Sequence, residues 1–151
     1  MKLIKLSLTV TGDNFFPRNI TTIFEGKLLF EINFNPDDKN DSDERKEYGF
    51  GCATFYHPSI FGLEEKTWRE YENDFVKSLE DYYDLLISYG ANDFSMYTEI
   101  YYEGWQCNFN IFDKENMEKL SKYNLSFPVS VYKMSQKEMK SLFKSMPPNQ
   151  V

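Results

Sequence analysis

Residues 67–90 constrain the fold more than any other stretch of the chain. Thr67 followed three residues later by Glu70 is the pair in which two side chains close the first turn of a helix reciprocally. Trp68, Tyr71, Phe75, Leu79, Tyr82 and Leu86 then recur at spacings of three and four, and Gly90 is the residue type that ends a helix. A helix this long with a one-sided aromatic stripe must bury that stripe against a second layer, and the flanking segments supply one as strands.

Ile4, Leu6, Leu8 and Val10 alternate with Lys5, Ser7 and Thr9, the period-two pattern of a strand with one buried face, and Gly12-Asp13 ends it. Pro17 opens a short helix whose Ile20, Ile23 and Phe24 share a face, with Gly26 as its stop. A second strand runs through Phe30, Ile32 and Phe34. Residues 35–47 hold no apolar side chain and no periodicity, which predicts an exposed acidic loop. Tyr48 to His57 reads as a third strand, with Phe50, Cys52, Thr54 and Tyr56 on one face and Gly49, Gly51 and Ala53 on the other; the glycines point to a bulge or a close backbone approach.

Beyond the long helix, Phe94 to Tyr102 and Trp105 to Ile111 read as a hairpin turning at Glu103-Gly104. Asp113 caps a short helix bearing Met117 and Leu120, which Asn124 ends. Phe127, Val129 and Val131 form a sixth strand. Ser135 with Glu138 opens a last helix carrying Met139, Leu142 and Phe143 before Pro147-Pro148.

Strands outnumber helices without alternating strictly with them. The expected fold is therefore α+β: a mixed or mainly antiparallel sheet of about six strands with about four helices, the long one packed on the sheet and one side covered. At 151 residues, with 41% hydrophobic and 18% aromatic side chains, the chain matches a single domain over 1–151 with one core.

Catalytic patterns are sparse. His57 precedes Pro58 at a strand end, and no partner that would orient it for acid-base work follows from spacing. Cys52 and Cys107 are too far apart for a zinc site and fall among aromatic and aliphatic neighbours, so both read as free, buried thiols. Asp38, Asn40 and Ser42 occupy the first, third and fifth places of a calcium loop, but Asp43 stands where that loop needs Gly and Gly49 where it needs Glu. The seven glycines form no phosphate-cradling pattern. The chain is read as a non-enzyme without cofactor or metal.

Charge is more informative. The formal net charge is −7, which repels phosphate backbones and anionic membranes and argues against a nucleic-acid or membrane partner. Neither a signal-peptide pattern at Met1 to Val10 nor a transmembrane stretch is present, so the expected location is the cytoplasm. The acidity is concentrated: residues 35–47 carry six acids to three bases and residues 64–84 eight to three, whereas 113–144 carry seven bases to four acids. The candidate partner-binding residues are Asp37, Asp38, Asp41, Asp43 and Glu44 in the loop, with Glu70, Asp74, Asp81 and Asp84 on the outer face of the helix.

Two stretches carry a resemblance. Leu6-Ser-Leu-Thr-Val-Thr-Gly-Asp-Asn-Phe-Phe-Pro-Arg-Asn-Ile20 is a strand, a Gly-Asp turn and a proline-started helix. Tyr101-Tyr-Glu-Gly-Trp-Gln-Cys-Asn-Phe-Asn-Ile111 continues through Met117, Leu120 and Leu125 to Val129-Ser-Val-Tyr132. Together they resemble a family of uncharacterised bacterial domains, the domain of unknown function numbered 4279, from which the chain departs in its acidic insertion at 35–47. Small domains of this kind resemble proteins encoded beside bacterial toxins. The resemblance thus implies an acidic immunity protein that neutralises a basic, possibly nuclease, toxin.

The expected function is accordingly an intracellular bacterial protein-binding domain, most concretely an immunity protein. An alternative is a small-ligand binder or an enzyme using Tyr48, Tyr56, Tyr102 and Trp105 as an aromatic pocket. A third is a homodimeric module, for which an exposed apolar patch would be the sign.

Overall fold

The computed structural model describes residues 2–24, 29–60, 62, 67–105 and 108–144. Strand β1 (Lys2–Gly12) lies at the centre of a six-stranded mixed sheet. On one side it pairs antiparallel with β5 (Gly51–Tyr56), which pairs antiparallel with the edge strand β2 (Leu29–Phe34). On its other side lies β6 (Asp93–Tyr102), also antiparallel. The far flank of β6 is taken by two short strands in succession, β7 (Leu125–Ser126) and β8 (Val129–Lys133), both parallel to it.

The alternation read from the sequence places Leu6, Leu8 and Val10 on one face of β1, where they are buried with Phe55, Phe94 and Met96. Helix α2 (Trp68–Ser88) covers this face with Tyr71, Phe75, Val76, Leu79 and Leu86. Its capping box is formed: Glu70 N–H donates to Thr67 Oγ1, and the Glu70 carboxylate accepts the Thr67 N–H at 2.8 Å. Gly90 ends it at φ +95°, and a Cβ there would lie 2.3 Å from the Asn14 carbonyl, so both conformation and space demand glycine. A 3₁₀ turn (Pro17–Ile20) leads into α1 (Thr21–Phe24), burying Ile20 and Phe24 in the same core.

Helix α3 (Lys114–Leu120) is capped by Asp113, whose carboxylate accepts the Asn116 N–H at 2.9 Å. Leu120 of this helix is buried, whereas Met117 is exposed. Helix α4 (Gln136–Lys144) opens with the Ser135–Glu138 box. It packs on the opposite side of the sheet, burying Met139 against Leu3, Ile60 and Tyr101. The sheet is thus covered on both sides at one end instead of on one side throughout, because Leu3 and Tyr101, a cross-strand pair, leave an apolar island on the otherwise polar face.

The strands also differ from the sequence pattern in three places. Residues 35–47 are not an unstructured loop: β3 (Lys39–Asn40) and β4 (Asp43–Glu47) pair as a small antiparallel hairpin. The third strand begins at Gly51, because Gly49 at φ +77° turns the chain at Tyr48–Phe50. The expected close approach occurs at Gly51, whose missing Cβ makes room for the Phe15 carbonyl. Finally, Trp105 and 108–111, the described part of the expected second hairpin strand, are not in a strand. The flank of β6 that strand would occupy is already filled by β7 and β8, and 108–112 runs as irregular chain with Phe109 edge-on to Tyr102. Gly26, Cys107 and Pro147-Pro148 lie outside the described residues.

Candidate protein-binding surface

The hairpin is built from polar residues, so its geometry is fixed by hydrogen bonds and by its base. Arg18, projected from the 3₁₀ turn, donates to both Asp38 carboxylate oxygens at 2.8 and 2.7 Å, and Asp38 also accepts the Asn35 N–H at 2.8 Å. The guanidinium bonded to it, followed by the Asn35 amide, holds the Asp38 carboxyl below the usual carboxylate range. Across the stem, Tyr48 N–H donates to the Asp38 carbonyl at 3.1 Å and Gly49 N–H to the Pro36 carbonyl at 2.9 Å. At the tip, Asn40 Oδ1 accepts the Ser42 N–H at 2.9 Å, a short side-chain turn typical of Asn. Beneath the hairpin the Phe34 and Tyr48 rings stack with centroids 3.7 Å apart, and Phe50 stands edge-on to Phe34 and partly exposed.

The candidate carboxylates therefore divide. Asp38 is committed to Arg18, Asp43 to Arg45 and Lys46, Glu70 to the cap of α2, and Asp81 to Lys77 one turn earlier. Asp74 is exposed and also makes a contact of its own. Asp37, Asp41, Glu44 and Asp84 are exposed, and their carboxylates have no ion pair among the described residues. Three of these four belong to the hairpin. The hairpin extends from the β2 edge of the sheet, whereas α2 lies over its face, and among the described residues no ion pair or hydrogen bond joins the two acidic groups. The acids form two surfaces.

The four aromatics of the alternative reading are dispersed. Tyr48 is at the base of the hairpin, at the Gly12 end of the sheet beyond its far edge. Tyr56 is on the polar face, where its hydroxyl donates to Glu31 at 2.9 Å and the Lys5 ammonium sits 5.0 Å above its ring. Burial, with Glu31 beside it, pushes this hydroxyl up to about 12. Tyr102 and Trp105 lie at the Lys2 end of the sheet, and Trp105 is 97% exposed with Lys133 4.9 Å from its ring. A cavity of about 20 Å³ between α2 and the sheet, lined by Leu8, Phe75, Leu79 and Tyr82, has room for one water.

His57 is buried, its Nδ1 facing the Ser59 N–H at 3.0 Å and its ring 3.8 Å from that of Tyr71. Cys52 is buried near Asn33, and burial pushes its thiol above the ordinary value. Among the described residues, no group of three or more His, Cys, Asp or Glu is placed to hold a metal, and no helix is long and apolar enough to cross a membrane. Compared with protein-family models, with curated proteins and with solved structures, the chain gives no match.

Proposed function

We propose that the chain is an intracellular bacterial protein-binding domain, most concretely an immunity protein that masks the basic active surface of a cognate toxin such as a nuclease. The observation that carries the reading is the acidic hairpin. Among the described residues its Asp37, Asp41 and Glu44 form no ion pair, and the Arg18–Asp38 clamp and the Phe34–Tyr48 stack hold the element in place. A preorganised cluster of like charge loses little conformational entropy on binding and steers a basic partner electrostatically. Phe50, partly exposed at the hairpin base, supplies the aromatic contact that such interfaces use for affinity.

The test is affinity capture from the native host with wild-type protein and with the Asp37→Lys, Asp41→Lys, Glu44→Lys triple variant. Recovery of a basic toxin domain encoded beside this gene, with the triple variant recovering far less, supports the proposal. A partner captured equally by both proteins, or the absence of any basic partner, contradicts it.

A further inference from the structure

Among the described residues, one side of the β8 backbone pairs with no other strand. Pro128 C=O accepts the Thr98 N–H and Met134 N–H donates to the Tyr102 carbonyl, so the even-numbered residues of this segment direct their backbone groups towards β6. In a parallel ladder the intervening residues point the other way. The N–H and C=O groups of Val129, Val131 and Lys133 therefore face outward, and none has a partner among the described residues.

Open edges normally carry devices that prevent pairing, and the two edges of this sheet differ in that respect. Edge strand β2 has a register shift between Ile32 and Phe34 and an exposed Glu31. By contrast, β8 pairs in unbroken register, contains no Pro, and exposes Val129 at 49%, Val131 at 51% and Tyr132 at 43%. Apolar exposure extends to Phe127 and to Trp105, which stands over Lys133.

We infer that β8 pairs with β8 of a second copy of this chain, antiparallel about a two-fold axis through Val131, to make one continuous sheet. The register follows from the outward groups. Val131 lies opposite Val131 of the second copy, and Val129 opposite Lys133; both are hydrogen-bonded pairs, giving about six new backbone bonds. On the other face Tyr132 lies opposite Ser130, so the exposed ring covers a small side chain. Charge does not oppose pairing at this edge, because Lys133 is the only charged residue of β8. No Asp or Glu occurs between Glu118 and Glu138, and the acidic hairpin belongs to the opposite edge of the sheet. In this register the two Lys133 side chains are also offset, each facing a valine.

The experiment is sedimentation equilibrium on the full chain across a roughly thousandfold range of concentration, with hydrogen exchange read residue by residue. The wild type is expected to form a species of twice 18.0 kDa. The amides of Val129, Val131 and Lys133 should gain protection as it forms, while those of Ser130 and Tyr132 are protected throughout. Val131→Lys places two ammonium groups opposite each other and should weaken the dimer about tenfold or more with an unchanged circular dichroism spectrum. Mixing it with Val131→Glu should restore a heterodimer, which a folding defect could not do. A wild type that stays monomeric, including one that pairs only with a foreign strand, overturns the inference. So does a dimer indifferent to Val131→Lys and Val131→Glu.

Discussion

Tyr71 and Glu72 are neighbours in α2, and both are buried through different contacts. The Tyr71 hydroxyl accepts the Leu6 N–H at 3.1 Å and donates to the Ser59 carbonyl at 3.0 Å, so it substitutes for β5 where that strand leaves the sheet at His57. Tyr71→Phe removes only the oxygen and leaves a buried N–H and C=O without it. The expected cost is about 1–3 kcal/mol in urea denaturation, with faster exchange at the Leu6 amide; unchanged stability would show that the bridge contributes nothing. Glu72 accepts the N–H of Phe112, which is held at φ +56°, and fixes the approach to α3. Burial raises its carboxyl above the ordinary value, with Asp113 adding to the shift against the Phe112 bond. A raised native value favours the protonated form, so its contribution is fully present below the unfolded-state value and is lost as pH rises through the native one. Glu72→Gln cannot ionise. The stability of the wild type relative to this variant should therefore fall as pH rises through that window, and a pH-independent difference would contradict the assignment.

At the scale of elements, the Arg18–Asp38 clamp ties the hairpin stem to the 3₁₀ turn. Asp38→Ala should leave global unfolding nearly unchanged, because the pair is exposed, while speeding exchange at the Tyr48 and Gly49 amides of the stem. The depressed Asp38 value gives the same result by titration: the clamp is present above the unfolded-state value and is lost as pH falls through the native one. Equal exchange in variant and wild type would mean that the stem stands without Arg18. The long helix, both capping boxes and the central strand were legible in the sequence because their signals are local. Thr67 with Glu70 lies within one helical turn, and Leu6, Leu8 and Val10 alternate within one strand. The β3–β4 hairpin was not legible, because Asp43–Glu47 contains no apolar residue to alternate. The alternation from Trp105 to Ile111 misleads for the reverse reason: it predicts a strand, but a distant segment, 125–133, takes the place that strand needed. The acidic surface was legible as composition. Which acids are neutralised was not, since Arg18 lies twenty residues from Asp38; the role of Glu70 in the cap was already visible in its spacing from Thr67.

For the whole molecule, the sheet orders the charge. The acidic hairpin follows the β2 edge, and the segment with seven bases to four acids carries the β8 edge. On the two proposals, a basic partner would be attracted to the hairpin edge and a second copy would meet only Lys133 as charge on β8, so the two surfaces would not compete. The central claim, that the hairpin steers a basic protein, is an electrostatic one, and screening by salt tests it directly. The measurement is the association rate constant with the captured partner as a function of ionic strength, for the wild type and the Asp37→Lys, Asp41→Lys, Glu44→Lys variant. The account predicts a wild-type rate that falls steeply with added salt and a variant rate slower by about tenfold or more at low salt with a flattened slope. Equal rates and equal slopes for the two proteins would contradict it.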